Sequence, residues 1–249
     1  MQGPDPVDQE SHYLDWKGWT SEADFGVVER GNVDYFTREL RDIERATEVH
    51  DVLEIGFGQG QFLAFCRDRG WKVTGVELLP DLVAAASRAG FDARGADELA
   101  GLPDESFDLI AAFDVFEHIP PDQSEEFLAN LRSKLRPNGR ILLRFPNADS
   151  WIGLPFQNGD PTHTNAIGVL KMSYYATVCG LELTAFRGVK RRGFHTSVIH
   201  GVHRVTAGAF ITVVAGIKKA LYFPDLPVVL STSNVIAVLG RTDPGTSRP

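Results

Sequence analysis

Four acidic side chains stand at the ends of expected strands: Glu54 inside Val52-Leu-Glu-Ile-Gly-Phe-Gly-Gln-Gly60, Glu77 after Val76, Asp97 after Ala96, and Asp114 after Phe113. Carboxylates accept hydrogen bonds from ribose hydroxyls and complement an ammonium or a sulfonium, whereas they repel a pyrophosphate. Between them, Gly56, Gly58 and Gly60 let the backbone turn sharply and pass close to a ligand, and the helix expected from Gln61 offers unpaired N–H groups. A dinucleotide-binding turn would put its last glycine where Gln61 stands.

A second group follows in Asp114-Val-Phe-Glu117-His118, joined by His163 in Gly159-Asp-Pro-Thr-His163. On one helical turn, Asp114, Glu117 and His118 would share a side. Such a mixture of carboxylate and imidazole suits Mn²⁺, Fe²⁺ or Zn²⁺ better than Mg²⁺, and a bound ion would lower the pKa of an acceptor hydroxyl. Without an ion, His118 or His163 would serve as the general base. His195, His200 and His203 are too loosely spaced for the same reading. Tyr13, Trp16, Trp19 and Phe25 read as a lid or as core closure, while Trp151 and Phe156 are better placed to touch an acceptor.

The elements that must position these residues alternate strand and helix from Val52 onward, as in a parallel sheet covered on both faces. Strands are expected at 51–55, 72–76, 91–95, 107–113, 140–145, 181–188 and 234–241. Residues 30–48 predict a helix packed before the first strand, with Leu40 and Ile43 inward. Asp81 is expected to cap the helix ended by Gly90, Asp122 with Glu125 to form a capping-box-like start, and 167–179 to form a helix stopped by Gly180. Residues 1–29 form an extension or lid and 30–249 the main domain, with 194–233 as an insertion. Within that insertion, Val205, Phe210, Val213, Val214, Ile217 and Leu221 would lie on one helical face, read first as core or a homodimer contact and second as a membrane-surface helix; strand stays open.

The chain has 249 residues, a net charge of −8 and no basic cluster besides Lys190-Arg191-Arg192, which argues against a nucleic-acid partner. Cys66 and Cys179 lack ligand spacing and are expected as free thiols in a reducing cytoplasm. The amino terminus shows no secretory signal, and no apolar stretch reaches the length of a bilayer span.

Together, residues 52–60, Val76-Glu77, Ala96-Asp97, 107–119 and 135–143 resemble class I S-adenosylmethionine-dependent methyltransferases, in family order over roughly residues 45–188. The resemblance implies a Rossmann-like α/β fold with a seven-stranded, mostly parallel sheet whose last strand is reversed. It implies that Glu54 and the glycine turn hold the methionine part of S-adenosyl-L-methionine, Glu77 the ribose, Asp97 with Ala96 or Glu98 the adenine edge, and that Asp114 lies beside the sulfonium. Asp-x-x-Glu-His with a later His is similar to the metal-binding pattern of methyltransferases acting on ubiquinone precursors and RNA 3′ ends, with Asp114 in place of their Glu; that similarity points to Mg²⁺ or a similar divalent ion. In metal-free members, Glu-His-Ile instead shapes the site floor. Pro146-Asn147 and 159–163 look like bacterial methyltransferases of cell-surface polysaccharide synthesis, implying O-methylation of a sugar or lipid-linked glycan. The alternatives are a quinone precursor, polyketide or other small metabolite, and, from another class, an inactive cofactor-binding regulator.

Overall fold

The computed structural model describes residues 25–190 and 198–242, with side chains 198–201, 203 and 204 set aside. Tyr13, Trp16, Trp19, Arg191, Arg192 and His195 lie outside the described residues, as do the side chains of His200 and His203. Seven strands form one sheet: β1 (Asp51–Ile55), β2 (Lys72–Glu77), β3 (Asp92–Gly95), β4 (Phe107–Phe113), β5 (Leu135–Pro146), β6 (Leu181–Gly188) and β7 (Asn234–Arg241). Their order is β3-β2-β1-β4-β5-β7-β6, and β7 runs antiparallel to both β5 and β6. The expected Rossmann-like arrangement with a reversed last strand is therefore present.

Side-chain alternation along the strands feeds two cores. Val52, Leu109, Ala111, Leu142 and Ile236 face one, and Leu53, Ile110, Leu143, Val235 and Ala237 face the other. Helices α1 (Arg30–Ala46), α2 (Gln61–Asp68) and α3 (Pro80–Arg88) cover the first face. The second is covered by α4 (Ser124–Lys134) and α6 (Val169–Val178), between which lies the short α5 (Leu154–Gly159). In α1, Tyr35, Phe36, Leu40 and Ile43 turn inward, and buried Glu39 takes hydrogen bonds from Arg187 and the Lys190 N–H, tying α1 to β6.

Two capping expectations fail. Pro80 opens α3 after Leu79, leaving Asp81 in the first turn, because proline at the first helical position already supplies the required φ. The α4 helix starts at Ser124 after Gln123 with no side-chain cap; instead Ser124 Oγ donates to the Pro120 carbonyl. The insertion is mainly a 25-residue helix, α7 (Val198–Tyr222). The apolar face expected in the core is largely outside: Val205, Phe210, Val213, Ile217 and Leu221 are exposed and Val214 is half-buried, while among the described side chains of the helix Ala215 packs with Val169, Val228 and Leu230. Residues Val205–Tyr222 also reach the length and mean hydropathy (1.3) compatible with a bilayer crossing, contrary to the sequence expectation.

Candidate functional site

The strands deliver their carboxyl ends to one edge, and there the glycine turn is built. Gly56, Gly58 and Gly60 all take positive φ, of 68°, 49° and 69°. At Gly56 a Cβ would come within 2.4 Å of Val115 Cγ2, so glycine is required both by the backbone and by its neighbour. The Gly58 N–H donates to Glu77 Oε2 at 3.0 Å, while Glu77 Oε1 accepts from the amides of Leu78 and Leu79. Thus the acid expected to meet a ribose also locks the turn, leaving remaining lone pairs for hydroxyls.

Glu54 sits at the floor, buried, with Oε2 lacking a hydrogen-bond partner. Burial, reinforced by the nearby Glu77 charge and only partly offset by a backbone hydrogen bond from Leu63, pushes its carboxyl well above the usual carboxylate range. A cation brought beside it would reverse that preference. With a raised folded-state pKa, the ligand-free domain holds a proton that the unfolded chain has released, so its stability falls as pH rises above the ordinary carboxylate range towards the folded value. Glu54→Gln is expected to flatten this decline in thermal melts run upward from the ordinary carboxylate range, and to weaken S-adenosylhomocysteine binding by about 10- to 100-fold in calorimetry. A variant that melts with the wild-type pH profile would contradict the buried-charge account.

Asp114 turns the chain at the end of β4 with φ 57°, a conformation that aspartate tolerates better than most residues. Its carboxylate forms a two-pronged pair with Arg144, 2.9 Å from Nε, and Arg144 Nη1 reaches the Tyr35 hydroxyl at 3.2 Å. Burial works against the Arg144 charge, but Asp114 and Tyr35 more than compensate and raise its pKa. Sequence reasoning missed Arg144, although an arginine between Leu143 and Phe145 in a central strand demands a partner.

That pairing corrects the expected metal set. The chain does not run helically from Asp114: a one-turn 3₁₀ helix spans Phe116–His118 only, and Asp114 points to Arg144. What converges instead is Glu117, His118 and His163, with ligand atoms all within 4.8 Å of one another. Glu117 is buried and its Oε1 lies 3.9 Å from His163 Nε2; the two imidazole centroids are 4.6 Å apart. His163 Nδ1 lies 3.0 Å from the Phe156 carbonyl oxygen, so in the neutral ring it carries the proton and leaves the Nε2 lone pair towards Glu117. Thr162 Oγ1 donates to Asp160 Oδ1 at 2.5 Å and accepts from His118 Nδ1 at 2.9 Å, which fixes the second ring in the same sense. The loop bearing these groups is stitched to the 3₁₀ turn by Asn165 N–H to the Glu117 carbonyl.

A cavity of about 1020 Å³ joins both groups, from Glu54, Gly56, Gly58 and Glu77 past Asp114 and Arg144 to His118 and Thr162. Its lining carries three carboxylates and one arginine, and that arginine is already paired. Gly60, Glu117 and His163 stand behind the wall: Gly60 starts α2 beneath Phe25, where a Cβ would meet the ring at 2.5 Å. Asp97 is exposed and outside the lining, where Ala96 and Leu99 stand. Trp151 and Phe156 are likewise exposed and outside it.

The sheet order, the glycine turn and the acidic cavity define a class I S-adenosylmethionine-dependent methyltransferase domain. Residues 28–178 match the methyltransferase domain family, and the chain belongs to it. Among curated relatives are the mitochondrial ubiquinone biosynthesis O-methyltransferase of Schizosaccharomyces pombe, 27% identical over 53% of this chain and 49% of that one, and a ubiquinone biosynthesis O-methyltransferase of Hydrogenovibrio crunogenus, 24% identical over 43% and 46%. The chain spans about half the length of these relatives. In fold it is similar to a SAM-dependent methyltransferase from Archaeoglobus fulgidus (TM-score 0.62, 19% identity, 92% of this chain and 98% of that one). It is also similar to 1,6-didemethyltoxoflavin-N1-methyltransferase from Burkholderia thailandensis, solved with S-adenosylhomocysteine (TM-score 0.55, 18% identity, 98% and 94%).

Proposed function

We propose that the protein is an O-methyltransferase whose acceptor is a hydroxyl on a largely apolar, ring-bearing small molecule. The observation that carries this reading is a single cavity with an anionic end at Glu54 and Glu77 and an imidazole-bearing end walled by Phe113, Val115, Ile119 and Phe127. When bound, S-adenosylmethionine supplies a sulfonium methyl, which bonds to the acceptor oxygen as its bond to sulfur breaks. Glu54 and the glycine turn would hold the donor's methionine part and Glu77 its ribose, while Ala96 and Leu99 would face the adenine, with exposed Asp97 beside them.

The acceptor proton goes to Nε2 of His118, whose ring lines the cavity and is held by a hydrogen bond at Nδ1, with His163 held in the same way behind it. Two imidazoles whose Nδ1 groups donate to fixed oxygens, beside a buried carboxylate, also fit a divalent cation, since metal-bound histidines are oriented in this way. Glu117, His118 and His163 would hold that ion, which would acidify the acceptor hydroxyl.

A sugar or lipid-linked glycan, expected from residues 146–163, finds less in this cavity. Sugar hydroxyls point in all directions and each buried one needs a partner, whereas the acceptor-side walls are chiefly aromatic and aliphatic. The ubiquinone-biosynthesis relatives lean the same way. Labelled methyl transfer to a panel of phenols, catechols, quinone precursors and oligosaccharides tests the acceptor class. Incorporation into phenolic acceptors is expected; labelling of saccharides alone would overturn it. Tight S-adenosylhomocysteine binding with no acceptor anywhere in the panel would favour a cofactor-binding regulator.

A further inference from the structure

The α7 helix presents an apolar surface that the domain does not use. Val202, Val205, Phe210, Val213, Ile217 and Leu221 are each more than half exposed, and at 100° per residue they share one broad arc. The opposite side holds Gly208 and Ala215, the buried positions among the described residues of the helix. Small residues there let α7 lie against the domain while its large side chains face away. Lys218 flanks the arc with its ammonium 5.1 Å from the centre of the Trp151 ring, so exposed Trp151 continues the same surface.

Charge singles out the partner. From Lys190 to Tyr222 the sequence has six Lys or Arg and no Asp or Glu, within a chain of net charge −8. Such a segment repels a second copy of itself and attracts an anionic surface. We propose that α7, together with Trp151, is a membrane-binding element that lies in the plane of an anionic bilayer, its apolar arc among the acyl chains and its lysines at the headgroups. This goes beyond the methyl-transfer reading and stands whether or not that reading holds.

Topology separates lying in the surface from crossing it. Gly188 pairs with Val235 and the Val189 N–H donates to the Asn234 carbonyl, so the insertion leaves and returns at one point on the sheet. The returning segment is pinned to the domain: Asn147 Nδ2 donates to the carbonyls of Val229 and Thr232, Ser150 Oγ to that of Leu230, and Val228 and Leu230 are buried. A single crossing of about 27 Å would separate ends that the fold holds together. One of its two connections would have to pass through hydrocarbon, carrying unpaired backbone and a charged side chain, Arg191 and Arg192 on the way out or Asp225 on the way back. A helix in the interface meets neither cost.

The test is flotation of the full chain with phosphatidylcholine vesicles, with and without phosphatidylglycerol, at low and high salt. Flotation is expected only with the anionic vesicles and should decline with salt. Phe210→Asp with Ile217→Asp should abolish it. Replacing Lys218 and Lys219 by Gln should weaken it about thirtyfold, with S-adenosylhomocysteine binding retained in both variants as evidence of an intact sheet. No flotation of the wild-type chain, or equal flotation of the Phe210→Asp/Ile217→Asp variant, would overturn the proposal. So would a solution dimer that this variant splits, because α7 would then face a second copy.

Discussion

Glu117→Gln and His163→Ala should each lower turnover by about 10²- to 10⁴-fold while changing S-adenosylhomocysteine affinity by no more than about threefold. The separation follows from geometry. Cofactor contacts are expected from Glu54, the glycine turn and Glu77, whereas Glu117 and His163 stand behind His118, which lines the opposite end of the cavity. Glu117→Gln keeps the side chain's shape in its buried niche but replaces the carboxyl group that faces His163 Nε2 at 3.9 Å. His163→Ala removes one of the two oriented imidazoles. Single-turnover rates with a phenolic acceptor, and calorimetry with S-adenosylhomocysteine, measure the two quantities independently. A chelator then sorts the chemistry: loss of activity restored by a divalent cation assigns the cluster to a metal, and full activity in chelator assigns it to proton transfer. Unchanged turnover in both variants would dismiss the cluster from the reaction altogether.

The second large effect concerns stability. Removing one member of a fully buried ion pair costs about 3–5 kcal/mol, because the other charge is stranded. Asp114's side chain is 42% exposed and can recover hydration, so Arg144→Leu is expected to cost about 2 kcal/mol. Asp114→Ala should cost about 3 kcal/mol, since it strands the less exposed Arg144 and also places alanine at φ 57°. Asp114→Asn tolerates that φ, and introduced into the Arg144→Leu chain it should recover part of the loss, since it removes the stranded charge. Denaturant midpoints of the two singles and the double give the coupling. Simple additivity would show that the pair does not hold the β4 turn. Because Asp114 leads into Val115, which covers Gly56, and then into the Glu117-His118 turn, both variants are also expected to weaken cofactor binding and catalysis together.

The seven strands were legible in the sequence because each element carries a local signal: short, near-continuous apolar runs in β1, β4 and β7, which are buried on both faces, and glycine stops after α2, α3 and α6. The cofactor end was legible for a related reason. A glycine turn with acids at strand ends is a local pattern, and strand order carries Glu54, Glu77 and Asp114 to one edge of the sheet. Asp97 shows where that reasoning weakens: the residue sits at the expected strand end, yet whether its side chain enters the cavity depends on the 3₁₀ turn at Ala96–Gly101, which presents Ala96 and Leu99 instead.

By itself, then, the amino-acid order determined the α/β architecture and a donor pocket hostile to phosphate, and the reversed last strand followed only from the family resemblance. Only the folded chain decided who pairs with whom. Asp114 leaves the expected metal set because a positive φ aims it at Arg144, a residue thirty positions away, and no short-range pattern encodes that encounter. His163 joins Glu117 and His118 because Asn165 and Thr162 bind the loop over them. The apolar face of α7 looks like core by composition, but a helix buries its large side chains only where the neighbouring surface has room. Here the domain meets Ala215 and leaves Phe210, Ile217 and Leu221 outside.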